Sequence, residues 1–328
     1  MIAEIQPDLY RIEIPLPRSP LKALNSYVIR GEERSLIIDT GMDHESCLQA
    51  MLSSLGKINV NVDKADFFIT HLHVDHLGLV GNLAAKTSKV IISKVEASIV
   101  NPIIREPEKF RHTVSKVLFS QGFPLDELRK AIQDHPGYRY IPKSPIDFCG
   151  LEEDDTIGVG DYSFRAIETP GHSPSHLCLY EEKRKILVSG DHILFDITPN
   201  ITWWPQQKNS LKNYLSSLKK IEALEVNLVL PGHRRLSHDH RKRIRGLQEH
   251  HQHRLDEVLA GPLEGGAHTA REIAPSITWD IRVSSWEMFS PVQKWFALGE
   301  TIAHLDYLEQ EGKISKTTIK GRVLYSLE

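Results

Sequence analysis

Asp66-Phe67-Phe68-Ile69-Thr70-His71-Leu72-His73-Val74-Asp75-His76 is the stretch that decides the fold of this 328-residue chain. It begins as a mostly apolar run, which is typical of a buried β-strand, and it ends with three imidazoles and a carboxylate within six residues. Because side chains on an extended segment alternate with period two, His71 and His73 can face one point. The turn that follows can direct Asp75 and His76 to a second point nearby. Imidazole nitrogen and carboxylate oxygen are ligands of zinc, iron and manganese, so the stretch predicts a metal site at a strand end.

Three further residues with metal-binding side chains follow apolar strands or glycine turns. Side chains in such positions emerge at the edge of a sheet, where loops carry many binding and catalytic residues. We therefore expect these residues to join the first group. They are His172 in Thr169-Pro170-Gly171-His172, Asp191 in Ser189-Gly190-Asp191 and His233 in Pro231-Gly232-His233.

Strand and helix patterns alternate around these motifs, which predicts an α/β layered domain. Helices are expected from about residue 44 to 55 and from about 210 to 224. The predicted strands cover residues 8–14, 25–30, 35–41, 66–70, 89–93, 156–159, 162–168, 177–181, 185–189 and 228–230.

Residues from about 96 to 150 lack the strand rhythm of their flanks. Two helical patterns, around Pro107–Ser120 and Leu125–Asp134, are separated by Gly122-Phe123-Pro124. We interpret this region as a helical insertion. It could cover the site as a lid, or it could be a peripheral decoration.

The composition excludes several classes of protein. Lys plus Arg is 40 and Asp plus Glu is 43, so the formal net charge is −3, and 40% of the residues are hydrophobic. These values exclude a disordered chain and give no protein-wide field for nucleic acid or membranes. The three cysteines, Cys47, Cys149 and Cys178, are too far apart for a disulfide framework or a Cys-x-x-Cys metal site. With no signal-peptide pattern and no apolar stretch of about 18 residues, we expect a cytoplasmic protein without a membrane span.

The motifs together resemble those of the metallo-β-lactamase superfamily, in the family's order and with Asp39-Thr40-Gly41 ahead of the histidine-rich stretch. The resemblance covers residues 1 to about 240. It implies an αββα sandwich with a two-metal site at one edge. The implied ligands are His71, His73 and His172 for the first metal, Asp75, His76 and His233 for the second, and Asp191 as a bridge between them.

The resemblance implies a binuclear metal hydrolase. The expected cofactors are two divalent metal ions, with zinc in first place and iron or manganese as alternatives. The metals lower the pKa of a bridging water towards about 7, and the resulting hydroxide would attack an ester, thioester, lactone or similar small substrate. Asp75 is the predicted catalytic residue, because it could orient that hydroxide or accept its proton.

Three alternatives use the same fold. A metal-dependent endoribonuclease or phosphodiesterase would direct the same metals at a phosphodiester. An iron-dependent oxidoreductase would require redox-active iron. A non-catalytic ligand-sensing or partner-binding protein would keep the fold alone, although the complete ligand set argues against it, because each ligand would be free to drift once catalysis was lost.

The C-terminal part resembles the winged-helix-like domain found in one branch of the superfamily. The features that carry this resemblance are Thr269–Ala274, Leu298–Leu308 and Gly312-Lys313-Ile314 before a hairpin. We therefore predict a catalytic domain over residues 1–245, with the insertion at about 96–150, and a C-terminal domain over residues 246–328.

The charge of this tail bears on its partners. Residues 241–328 contain 12 Lys or Arg and 12 Asp or Glu, which is a poor footprint for nucleic acid. We expect the tail to pack against the catalytic domain or to form a homodimer. The expected partner of the protein is a small-molecule substrate.

Residues near the motifs are further candidates. Asp39 is expected to hydrogen-bond beneath the site, as the resemblance implies. His176 and His192 could touch the ligands or the substrate, and Trp203-Trp204 could line a pocket mouth or belong to the core. Five histidines on a polar helical stretch are predicted to be solvated: His238, His240, His250, His251 and His253.

Overall fold

Two β-sheets packed face to face form the centre of the computed structural model, which describes residues 1–281 and 283–328. The strands of the first sheet lie side by side in chain order: β1 (Ile2–Gln6), β2 (Leu9–Pro15), β3 (Ala23–Ile29), β4 (Ser35–Ile38), β5 (Ala65–Phe68), β6 (Val90–Ser93) and β7 (Phe148–Leu151). The second sheet contains β8 (Thr156–Val159), β9 (Tyr162–Glu168), β10 (Leu177–Glu181), β11 (Ile186–Gly190) and β12 (Leu228–Pro231), in the spatial order β12-β11-β10-β9-β8.

Helices cover the outer faces of both sheets. They are α1 (Glu45–Lys57), α2 (Val74–Leu77), α3 (Val80–Leu83), α4 (Lys94–Arg105), α5 (Pro107–Ser120), α6 (Leu125–Asp134), α7 (Pro136–Arg139), α8 (Ser210–Glu222), α9 (His240–Leu259), α10 (Ala270–Ile273) and α11 (Pro291–Gln310). A hairpin of β13 (Ile314–Ile319) and β14 (Arg322–Leu327) ends the chain. Within the described residues, none of the helices combines the length and the apolar character needed to cross a membrane.

The core has three layers, because side chains alternate between the two faces of each strand. Between the sheets, Tyr27, Phe68, Phe164 and Leu179 are at most 1% exposed. A second apolar cluster joins the outer face of the first sheet to α1 and α4. A third joins the outer face of the second sheet to α8, α9 and α11. The predicted αββα sandwich is confirmed.

Parallel strands bring distant segments of the chain to one edge of the sandwich. In the first sheet β4, β5 and β6 run parallel, and in the second sheet β11 and β12 run parallel. Asp39, His71, Asp191 and His233 each follow the end of one of these strands within three residues. Because the carboxyl ends of parallel strands meet at the same edge, the fold collects these side chains there.

The predicted helices of the insertion are present as α5 and α6, with the predicted bounds. They pack together with the C-terminal helices in one apolar cluster, which includes Phe123. Gln121 Nε2 donates to the Tyr325 hydroxyl at 3.1 Å, and Lys294 pairs with Glu127 at 3.1 Å. The insertion and the tail therefore share a core.

The C-terminal part packs against the catalytic sandwich. Leu298, Ile302 and Leu305 of α11 are buried in the cluster that also contains Tyr214 of α8. Because α9 is one continuous helix from His240 to Leu259, the predicted division after residue 245 falls inside a helix. The domain bounds, the winged-helix comparison and the homodimer stay predictions.

The prediction that all five histidines between residues 238 and 253 are solvated is wrong for two of them. His240 is 3% exposed and His251 is fully buried. One face of α9 packs against α8 and α11, where His251 Nδ1 lies 3.1 Å from His304 Nε2 and its ring packs against Tyr214. Charged and polar residues dominate the sequence of α9 and obscure its buried face, where His240 and His251 lie beside four aliphatic residues of the core.

Replacing Leu179, in the layer between the sheets, by alanine should destabilise the sandwich. The side chain is fully buried, and such a change costs about 2–5 kcal/mol through lost burial and the remaining cavity. Leu52→Ala on α1 is the matched control, because this leucine is 40% exposed; it should change the free energy of unfolding by no more than about 0.5 kcal/mol. Urea unfolding followed by circular dichroism measures both, and equal effects would contradict the described core.

Candidate metal centre

Three imidazoles converge at the edge where the sheets meet. His71 Nε2 lies 2.8 Å from His73 Nδ1, and His172 Nε2 lies 3.0 Å from the same atom. His71 follows β5, His73 is the N-cap of α2, and His172 lies in the loop between β9 and β10. One Nδ1 atom carries at most one proton and cannot satisfy both neighbours, whereas one cation can accept a lone pair from each ring. These three residues are called the first cluster below.

Asp75, His76 and His233 form a second cluster beside the first, and Asp191 lies between the two. His233 Nε2 lies 3.4 Å from Asp75 Oδ2 and 3.5 Å from Asp191 Oδ2. His76 Nε2 lies 3.5 Å from Asp191 Oδ1. Asp191 Oδ2 is also 3.7 Å from His172 Nε2. The structure therefore brings all seven predicted site residues together, with Asp191 facing both clusters.

The outer nitrogen of four of these imidazoles donates to a fixed acceptor. Where such a ring is neutral it has a single N–H, so its Nε2 keeps a lone pair that faces the centre. Metal-ligating histidines show this pattern, because the outer hydrogen bond fixes both tautomer and ring orientation. The pairs are His71 Nδ1 with Thr70 Oγ1 (3.0 Å), His76 Nδ1 with Asp39 Oδ2 (2.8 Å), His172 Nδ1 with the Asn200 carbonyl (2.9 Å) and His233 Nδ1 with the Ala23 carbonyl (2.8 Å).

The inner atoms fit divalent cations. Among the described residues, His76 Nε2, His233 Nε2 and Asp191 Oδ1 are buried without a hydrogen-bond partner. An unpaired buried acceptor loses its hydration without compensation, which costs about 1–3 kcal/mol. A cation with nitrogen and oxygen ligands would satisfy all three atoms, and zinc, iron and manganese accept this donor set.

The two clusters differ in the pKa values of their imidazoles. Burial and the neighbouring His172 lower the pKa of His73 to about 3, so this ring is neutral at pH 7. Burial alone would lower the pKa of His233, but the carboxylates of Asp191 and Asp75 raise it to about 10. The second cluster therefore requires positive charge, which protons or a bound cation can supply.

Asp39 holds the base of both clusters, as the resemblance implies. Its Oδ1 accepts from the Thr70 backbone N–H at 2.9 Å, and its Oδ2 accepts from the Thr70 hydroxyl at 2.9 Å and from His76 Nδ1 at 2.8 Å. Thr70 in turn orients His71. One buried carboxylate thereby positions an imidazole in each cluster.

Glu96, the third residue of α4, holds the loop that carries His172 and was not among the predicted site residues. Its Oε1 accepts from the Ser173 hydroxyl and from the Ser175 backbone N–H at 3.1 Å. Burial raises the pKa of this carboxyl group to about 7. The insertion therefore contributes a polar group directly beneath the site.

His176 and His192 both lie next to the Asp191 loop. His176 Nε2 accepts from the Asp191 backbone N–H at 3.2 Å, so it fixes the start of this loop. His192 is fully buried, with its ring centroid 5.3 Å from that of Tyr214. His176 contacts a member of the centre, and His192 belongs to the packing beneath it.

Gly232 permits the close approach of two ligand loops. A Cβ at this position would lie 2.4 Å from Asp191 Oδ1 and 2.8 Å from His76 Cε1, so no larger residue fits without displacing them. Asn25 Nδ2 donates to the Pro231 carbonyl oxygen at 3.0 Å. This bond joins β3 of the first sheet to the end of β12 in the second, so the two sheets are held together at the site.

Trp203 and Trp204 point to different parts of the molecule. The ring of Trp204 stacks on that of His73 at 5.7 Å, and its Nε1 donates to the His172 carbonyl oxygen at 3.3 Å. Trp203 packs with the C-terminal core, and its backbone N–H donates to the Gly299 carbonyl oxygen at 3.0 Å. One residue of the pair borders the centre and the other is a core contact.

Comparison with known proteins places this chain in a family. Residues 21–233 match the family model of the Metallo-beta-lactamase superfamily, and residues 286–325 match that of the Metallo-beta-lactamase-like, C-terminal domain. The probable metallo-hydrolase YqjP of Bacillus subtilis (strain 168) is 25% identical over 323 residues, which cover 94% of this chain and 94% of that protein.

Two further similarities concern activity and structure. The acyl-coenzyme A thioesterase MBLAC2 of Homo sapiens is 27% identical over 223 residues, which cover 64% of this chain and 72% of that protein. The crystal structure of a metallo-beta-lactamase family protein from Thermus thermophilus has a TM-score of 0.83 at 27% identity, covering 99% of this chain and 100% of that one. The superfamily match spans more than half of the sequence and the fold agrees with it, and the relatives include a metallo-hydrolase and a thioesterase; the chain therefore belongs to the metallo-beta-lactamase superfamily and is a hydrolase.

Proposed function

We propose that this hydrolase cleaves acyl-coenzyme A or similar thioesters with two divalent metal ions, for which zinc is expected. The observation that carries the metal centre is the set of lone pairs that face one another: His76 Nε2, His233 Nε2 and Asp191 Oδ1 are buried and unpaired among the described residues. The thioester is supported by the human relative, which is an acyl-coenzyme A thioesterase.

Seven side chains would hold the metals. When bound, two such ions supply Lewis acidity and a water that is deprotonated near neutral pH. The outer hydrogen bonds of the imidazoles keep their inner nitrogens aimed at the centre, so little reorganisation accompanies binding. The proposed ligands are His71, His73 and His172 for one ion, Asp75, His76 and His233 for the other, and Asp191 for both.

Asp75 is the proposed proton acceptor. Burial alone would raise its pKa, but the neighbouring His233, 3.4 Å away, and the charge of His76 lower the pKa to about 2, so the carboxylate is ionised at pH 7. It can therefore hold the proton released by the attacking water. The leaving group of a thioester is a thiol with a pKa of about 8.5, which departs with little help from an acid. The reaction then needs one carboxylate base and no separate general acid.

An aromatic surface beside the first cluster suits the acyl chain. Trp204 stacks over His73 and belongs to an apolar cluster as a partly buried side chain. Each methylene group buried against such a surface would contribute about 0.8 kcal/mol.

Zinc should stabilise the folded chain. At a free concentration of about 100 times its Kd, a ligand that binds only the folded state adds about 2.7 kcal/mol to the free energy of unfolding. Thermal melts of chelator-treated protein with and without zinc measure this gain. His233→Ala should reduce it because an inner nitrogen is lost, while His238→Ala, at an exposed histidine, should leave it unchanged. A parent protein whose melting temperature does not respond to zinc would contradict the proposed centre.

Asp75→Asn should lower kcat for acyl-coenzyme A by about 10²–10⁴-fold, because the amide cannot accept the proton. The assay is the release of free thiol by the zinc-loaded full chain, with zinc content measured in parallel so that loss of metal is recognised. Asp147→Asn is the matched control, since Asp147 is exposed, and it should leave kcat unchanged. Equal activity of the Asp75 variant at full zinc content would exclude the assigned role.

Comparing the thiol-release assay with assays of phosphodiester cleavage separates the thioesterase from the phosphodiesterase alternative. A zinc-loaded chain that cleaves RNA or bis(4-nitrophenyl) phosphate but no acyl-coenzyme A would overturn the proposal. The tail offers no support for this outcome, since residues 241–328 carry 12 basic and 12 acidic side chains. Nucleic-acid sites draw on clustered positive charge.

A further inference from the structure

The loop at residues 200–204, called the 200–204 loop below, joins the metal centre to helix α11. His172 Nδ1 donates to the Asn200 carbonyl oxygen at 2.9 Å. Trp204 Nε1 donates to the His172 carbonyl oxygen at 3.3 Å, and its ring stacks on His73 at 5.7 Å. This loop therefore contacts two of the three imidazoles of the first cluster.

Helix α11 holds the loop from the opposite side. The Trp203 backbone N–H donates to the Gly299 carbonyl oxygen at 3.0 Å, and Asn200 Nδ2 donates to Glu300 Oε2 at 2.7 Å. A Cβ at Gly299 would lie 2.1 Å from Thr202 Oγ1. The loop lies directly against the helix backbone at this point, so the position of one dictates the position of the other.

A buried ion pair fixes Glu300. Its Oε1 contacts the guanidinium of Arg254 on α9, and the two side chains are 6% and 8% exposed. The guanidinium also lies 4.3 Å from the centre of the Trp279 ring. Replacing a buried ion pair by apolar residues of equal volume is often neutral or stabilising, so stability alone does not account for the charged pair. An apolar pair would lack the directed acceptor that Asn200 Nδ2 uses.

We propose that Gly299 and Glu300 are positioning residues for His172, and that through the 200–204 loop they set the affinity of the first cluster for its metal. The inference rests on the proposed function, because it takes this cluster as a metal site. It assigns the C-terminal helix a role in metal binding even though neither residue touches the metal ligands directly.

The second cluster is held by other parts of the chain. His76 donates to Asp39, which follows β4, and His233 donates to the Ala23 carbonyl in β3. These acceptors lie in or directly after strands of the first sheet, whereas α11 packs against the second sheet. A change in α11 should therefore weaken metal binding at the first cluster and spare the second.

The test measures zinc affinity in two backgrounds of the full chain by competition with a chromophoric chelator. His233→Ala disables the second cluster and leaves the first, while His172→Ala does the reverse. Adding Gly299→Ala should weaken zinc binding about 10-fold in the first background, the scale on which groups behind metal ligands act, and should have no effect in the second. Gly246→Ala on α9 is the matched control, because an added Cβ there meets nothing within 4 Å.

Two more variants separate positioning from general damage. Thr202→Ala removes the atom that the new methyl group meets, so Gly299→Ala/Thr202→Ala should recover zinc affinity. Asn200→Ala keeps the carbonyl that accepts from His172 but loses its bond to Glu300, and it should weaken only the first cluster. Melting temperatures of the metal-free variants are measured alongside, because a purely structural role would lower them without selecting a cluster.

A loss confined to the His233→Ala background, with recovery in the double variant, supports the inference. Unchanged affinity in both the Gly299 and Asn200 variants overturns it, and so does an equal loss in both backgrounds. If the unsubstituted chain binds no zinc, the proposed metal centre fails and the inference falls with it. If the backgrounds bind zinc and the Gly299 and Asn200 variants bind it equally well, only the inference is refuted and the proposed metal centre stands.

Discussion

Buried lone pairs that face one another are the constraint on which the rest of this structure depends. His71 Nε2 and His172 Nε2 both meet His73 Nδ1 within 3.0 Å, and His76 and His233 direct their inner nitrogens at Asp191. Such an arrangement is unfavourable without a positive charge at its centre. It persists only where the outer nitrogens are held, so the acceptors behind the imidazoles matter as much as the imidazoles themselves.

Those acceptors explain why the sandwich has its present form at this edge. Asp39 and Ala23 belong to the first sheet, whereas Asn200 follows the second. The relative position of the two sheets must therefore be fixed closely enough to keep these hydrogen bonds. The bond from Asn25 to Pro231 and the missing side chain at Gly232 meet this demand, because one ties the sheets together and the other lets the loops approach.

The metal ligands could be predicted from the sequence, because each is a histidine or an aspartate in a segment that follows a strand. Ten of the twelve strands in the two sheets and the helices α5 and α6 could be predicted for a similar reason, since periodicity is a local property, but β1 and β7 were missed. Glu96 could not, because Ser93-Lys94-Val95-Glu96 has the form of a helix capping box and only the fold brings Glu96 to Ser173. The burial of His251 was missed because charged and polar residues dominate the sequence of α9 and obscure the face that packs against α8 and α11.

The neutral tail makes sense as part of the catalytic unit. A nucleic-acid module needs clustered positive charge on its surface, but the notable cation of this tail, Arg254, is buried against Glu300 and a tryptophan ring. The tail also shares its apolar core with α5 and α6 of the insertion. Helices from two separate parts of the chain thus form one body. Its helix α11 holds the 200–204 loop, which contacts the first cluster, and Glu96 of the adjoining α4 holds the loop that carries His172. The geometry of the cluster therefore depends on segments more than 100 residues apart, from Glu96 to Glu300.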